Sequence, residues 1–135
     1  MHHANLYLRA KHYLQACLRD ICDIFGVTMH ECAFAYLMCD NDTGELMGMS
    51  QFEILAEGGV IYDIREAAGR RDNEAMFILG RQTMNFIDLC GIHKCYALPD
   101  AACADLLSSI GFKTREGEML FCDLTGMFDG NCGNH

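Results

Sequence analysis

The chain has 135 residues, 51% of them hydrophobic, with a net charge of −9 and a pI near 4.9. That length and apolar content suit one compact domain over 1–135 with a core of its own. The acidic balance argues against non-specific binding to nucleic acid, whose phosphates it repels, and favours a basic or amine-bearing partner.

Residues 4–25, "ANLYLRAKHYLQACLRDICDIF", read as one helix. Ala10, Leu14, Cys17, Leu18, Ile21 and Phe25 recur at spacings of three and four, and Gly26 is a natural stop. The run 31–40, "ECAFAYLMCD", has strand length, "NDTG" at 41–44 is a turn by composition, and 45–55 is a second strand. "EGG" at 57–59 turns the chain into a third strand, 60–67, completing a meander. Helical spacing returns over 73–90, with Met76, Leu79, Thr83, Phe86, Ile87 and Cys90 on one face, and Gly91 ends it. A short strand at 93–99 leads to a short helix over 100–112, with Asp100 at its N-cap and Gly111 at its end. A last strand spans 116–128, and the tail 129–135 reads as frayed. The fold class is α+β: a mixed sheet of about five or six strands with flanking helices, the strands 60–67 and 93–99 being parallel.

Nine cysteines, an odd number with no CxxC pair, sit mostly in apolar runs. They read as small hydrophobes in a reduced, cytoplasmic setting rather than as a disulfide framework, with Cys90 and Cys95 expected in the core. No apolar run approaches the ~18 residues of a membrane span, and no signal peptide opens the chain, so no membrane partner is expected. No metal site is expected: the histidines are scattered, and Asp129, Cys132 and His135 have a spacing that arises easily by chance. No Ser-His-Asp pattern, Walker loop or Rossmann fingerprint appears.

Over residues 27–128 the chain resembles the GNAT superfamily, the Gcn5-related N-acetyltransferases. The resemblance rests on the meander with its "GELMG" turn, the strand "VIYDIREA", the long helix closing on "DLCGIHKCYAL", and "LLSSIGF", whose Gly111-Phe112 ends a helix as in the family. It implies a CoA-dependent N-acyltransferase that moves an acyl group from acetyl-CoA, or another acyl-CoA, to a small amine or basic acceptor. The family's diphosphate loop, R/Q-x-x-G-x-G/A, falls on Arg71-Asp72-Asn73-Glu74-Ala75-Met76. Arg71 fits, but Glu74 and Met76 stand where small residues let backbone N–H groups approach the phosphates. The same stretch is also an ordinary helix start with a capping residue and first-turn acids, so both readings stay open.

By the resemblance, Arg70, Arg71 and the amides of Asn73, Glu74, Ala75 and Met76 would hold the diphosphate, and the backbone around Ile64 and Glu66 would pair with the pantetheine arm. A slot for that arm is expected where the parallel strands part beside the helix start. Leu107 replaces the tyrosine that protonates the departing thiolate, which leaves Tyr96 or water for that role. Glu66 is the first choice of base, ahead of Asp63 and Glu53. The alternative is a non-catalytic binding or assembly module that has lost acyl-CoA binding. The family opens on a strand that the N-terminal helix here replaces. The 31–40 strand is then expected to be an uncovered edge, shielded by a homodimer partner or by that helix.

Overall fold

The computed structural model describes residues 4–9 and 11–129, with side chains from residue 18 onward. The strands are β1 (Ala4–Arg9), β2 (Phe34–Asp40), β3 (Leu46–Leu55), β4 (Gly58–Glu66), β5 (Lys94–Ala97), β6 (Thr114–Glu116) and β7 (Met119–Asp123). They form one mixed sheet in the order β1-β2-β3-β4-β5-β7-β6. The helices are α1 (Lys11–Phe25), α2 (Asn73–Leu89) and α3 (Ala104–Ile110), the last entered through a 3₁₀ turn at Ala101–Cys103.

Period-two alternation sorts the meander onto two faces. Along β2, Phe34, Tyr36 and Met38 meet the larger core, with Phe52, Ile61, Ile64, Leu79, Met84, Ile87 and Ile110. Ala35 and Leu37 point the other way, into a smaller core with Leu18, Cys22 and Met49. The first core lies under α2 and α3, the second under α1. Helix α2 buries Ala75, Met76, Leu79, Gly80, Thr83, Met84 and Ile87. Gly59 and Gly80 carry no side chain because Ile87 and Ile110 occupy that space; a Cβ at either would come within 2.7 Å of the isoleucine.

Several elements differ from the sequence reading. Residues 4–9 form a strand, not the first turns of a helix, and pair antiparallel with β2 from Ala4↔Asp40 to Arg9↔Ala35. The backbone groups left open along β2 are a demand that local helical spacing cannot register. Strand β2 therefore has no uncovered edge, and neither expected shield, a dimer partner or α1, is what covers it. The last strand is a hairpin: β6 and β7 turn at Gly117, whose φ of +64° suits glycine. At the edge opposite β1, β6 is three exposed residues, two of them charged, a short edge that discourages further pairing. Cys90 is exposed, one residue past the last turn of α2, whereas Cys95 is buried as expected. Residues 130–135 of the tail, including Cys132 and His135, lie outside the described residues.

Burial raises the thiol pKa of Cys22 and Cys103 from the ordinary 9.0 to about 11, and pushes Cys95 and Cys122 up as well. The folded chain thus keeps these protons where the unfolded chain sheds them. The thiols' contribution to stability is expected to be full below pH 9 and to be lost between 9 and about 11, so urea midpoints should fall across that range. Gly59→Ala should lower Tm by roughly 4–12 °C, read by calorimetry, because Ile87 is stiff in its helix and cannot yield cheaply.

Candidate functional site

The site begins with one extra residue. Strand β4 runs antiparallel to β3 with Gln51↔Asp63 followed by Phe52↔Ile61, so Tyr62 has no counterpart. Such a bulge bends its strand and sharpens the local twist. On its other side β4 pairs in parallel with β5 only over Gly59↔Cys95, Val60↔Tyr96 and Ile61↔Ala97. Past those three pairs the strands diverge, β4 continuing to Glu66 while Leu98 and Pro99 lead off toward α3. The bulge shows in the burial pattern: Ile61 and Ile64 both enter the same core, a spacing of three that no regular strand allows.

The splay is lined by Ile61, Tyr62, Asp63, Ile64 and Arg65 from β4, and by Ala97, Leu98, Asp100, Cys103 and Leu107 across from it. The expected slot is there in outline, but side chains fill it. The free volume is about 10 Å³, room for one water at most. Arg65 Nη1 sits 2.7 Å from Asp100 Oδ2 across the gap and also donates to the carbonyl of Ile64 at 3.2 Å. Asp100 is the predicted cap: its Oδ1 accepts from the Ala102 amide at 3.0 Å. That bond leads the causes holding its carboxyl below the ordinary carboxylate range, with Arg65 adding to it.

The loop 67–72 joins β4 to α2 around a shallow cavity of about 530 Å³, lined by Glu45, Leu46, Ala67, Ala68, Gly69, Arg70, Arg71 and Asp72. Gly69 supplies the positive φ of its turn, +81°. Arg70 is tied back to the β2–β3 turn, 2.9 Å from Glu45 and 3.5 Å from Asp40. Arg71 is exposed and has no ion pair among the described residues. Asp72 caps α2, its Oδ1 accepting from the Ala75 amide at 3.0 Å, and its own amide donates to Glu66 Oε2 at 2.5 Å. Met76 N–H donates to the Asp72 carbonyl at 3.1 Å. Of the four amides expected to face a diphosphate, those of Ala75 and Met76 are thus already bonded, and those of Asn73 and Glu74 remain.

The predicted catalytic pair is not brought together. Glu66 braces the loop through the Asp72 amide. Tyr96 lies outside the splay lining, donating its hydroxyl to Glu116 Oε1 at 2.9 Å, a bond that raises its pKa. Ile64 does line the splay, as does Asp63. Asp63 Oδ2 accepts from the fully buried Gln51 at 2.9 Å. Gln51 also donates to the Thr28 carbonyl at 2.9 Å and accepts from the His30 amide at 2.7 Å, fixing the loop after α1 against the sheet. Tyr62 stacks on His30 with ring centroids 3.8 Å apart and donates to Glu53 at 2.7 Å. Burial and then Glu53 push the Tyr62 hydroxyl up to about 12. Sequence reading missed Gln51, His30 and Arg65, whose roles depend on cross-strand register.

No protein-family model matches the chain, and no curated protein does. Solved structures do. An acetyltransferase of the GNAT family from Staphylococcus aureus Mu50 superposes with a TM-score of 0.62 over 90% of this chain and 99% of that one, at 11% identity. A bacterial toxin gives 0.68 over 100% and 98%, at 10% identity. A chain of an AtaT–AtaR complex bound to DNA gives 0.59 over 70% of each, at 17% identity. At these identities what is shared is the fold, and the chain has the GNAT fold.

The cap itself is testable. Asp72→Ala should cost about 1 kcal/mol in urea unfolding, and Asp72→Asn much less, since asparagine caps as well as aspartate.

Proposed function

We propose that the chain is an acyl-CoA-dependent N-acyltransferase that serves a small amine, and that its slot must open to act. The observation that carries this reading is the break in pairing between β4 and β5 after Ile61, beside the start of α2 and Arg71. An opened splay exposes β4 backbone for an amide-bearing arm to pair with. Arg71, in the cavity of the loop that follows β4, and the amides of Asn73 and Glu74 at the start of α2 would then meet the diphosphate. The pair that shuts the slot has side chains 34% and 27% exposed, and such ion pairs contribute about 1 kcal/mol or less, so opening is cheap.

When bound, the thioester supplies an acyl group open to attack and a good leaving group. Asp63 is the base assigned here in place of Glu66, because it lines the splay while Glu66 is spent on the loop. It takes the proton of the incoming ammonium so that the nitrogen pair can attack. Gln51 orients it. Water supplies the closing proton, because Leu107 has none to give and Tyr62 is held to Glu53. The acidic surface suits a cationic acceptor and not nucleic acid, in contrast to the DNA-bound complex that shares the fold. The free, buried thiols of Cys22, Cys95 and Cys122 suit a cytoplasmic setting. Among these residues no helix is long and apolar enough to cross a membrane.

A second reading, a non-catalytic binding module, is favoured by the carboxylates of Glu66 and Asp72 at the helix start. A phosphate 4 Å from a carboxylate loses about 1 kcal/mol in water and about 4 at an effective dielectric of 20. One unpaired arginine offsets only part of that. Thermal shift with acetyl-CoA separates the two readings. A rise of several degrees at millimolar ligand, with thiol release from a panel of amines, supports the enzyme. Asp63→Asn should then lower the release rate by about 10²-fold or more, with Glu66→Gln changing mainly stability. No shift and no release would overturn the enzyme reading and favour the module.

A further inference from the structure

We propose that the Arg65–Asp100 ion pair is an autoinhibitory latch across the splay: closed, it excludes the thioester arm, and parted, it admits it. The inference rests on the acyl-CoA reading above. The two residues sit on opposite sides of the divergence, Arg65 on β4 beyond its last pair with β5 and Asp100 at the turn into α3. Their 2.7 Å contact spans the gap that the Tyr62 bulge opens. The same guanidinium nitrogen donates to the Ile64 carbonyl, so the latch also occupies a backbone acceptor that a bound arm would use. Beneath it, Leu107 closes the floor and leaves about 10 Å³.

Asp100 uses separate oxygens for the cap and the latch, Oδ1 for the Ala102 amide and Oδ2 for Arg65, and the Cys103 thiol also bonds to its carboxylate. Asp100→Asn therefore keeps the cap and weakens the latch without removing bulk from the slot. Arg65→Gln breaks the pair from the other side.

The test is calorimetric titration of the full chain with acetyl-CoA, comparing the unmodified protein with Asp100→Asn, Arg65→Gln and Asp105→Asn. Asp105 is an exposed acid on α3 outside the splay lining, so its variant controls for charge alone. A latch that leaves the slot open about one-sixth of the time weakens the apparent affinity by that fraction. Asp100→Asn and Arg65→Gln should each bind up to about sixfold tighter than the unmodified chain and Asp105→Asn. Amide hydrogen exchange should accelerate over 62–65 and 98–103 in both latch variants and not in the control. Bare electrostatics toward a polyanion would drive the two latch variants in opposite directions, whereas release of a latch drives them together. Opposite changes, or equal affinities with unchanged exchange, would overturn the latch and leave the acyl-CoA reading standing. Absence of binding by all four proteins at millimolar acetyl-CoA would sink both.

Discussion

The architecture turns on the surplus residue in β4. With Tyr62 unmatched by β3, the strand bends where its parallel neighbour ends, and the sheet opens beside the first turn of α2. Without the bulge, β4 and β5 would stay parallel to their ends and no interior slot would exist. The same bulge keeps Ile61 and Ile64 both in the larger core. It also sends Tyr62 to the other face, onto His30. One local irregularity therefore settles the course of the core, the placement of the α1–β2 loop and the position of the splay.

Around that backbone the side chains pull in two directions. The frame suits an extended, amide-bearing ligand with an anionic end. Yet Glu66 and Asp72 bring negative charge to the helix start, where the macrodipole already welcomes anions from within the chain. Arg70 is spent on Asp40 and Glu45. On that balance, the site proposed above is a weak one. Either a modest affinity suffices, or the frame has outlived its ligand.

Much of the fold was legible because its determinants are local. The turn after Asp40, the amphipathic run of α2 and the Gly111-Phe112 closure all follow from residues near one another in sequence. The N-terminal strand was not, because the six residues of "ANLYLR" are too few to separate their spacing from that of the helix that follows, and only pairing with β2 decides. The candidate site was legible as a place and not as a mechanism. Ile64 lines the splay, Arg71 lines the loop cavity, and Asn73 and Glu74 open α2. Tyr96 was drawn to Glu116 by a hairpin that the sequence reading took for one strand, and Glu66 was drawn to the loop it was meant to adjoin. Those partners are 20 and 6 residues away, and nothing in either residue's own neighbourhood announces them.

The sheet also carries a seam. Strands β1 to β4 are joined by long antiparallel ladders, and β5 to β7 form a second set, but the two sets meet over only three residue pairs. Helix α2 rests on both sides and acts as a splint. Warming the molecule should therefore loosen it along that seam before either half frays, giving it two cooperative blocks rather than one. In this protein the weakest joint of the scaffold and the proposed door of its cleft are the same place.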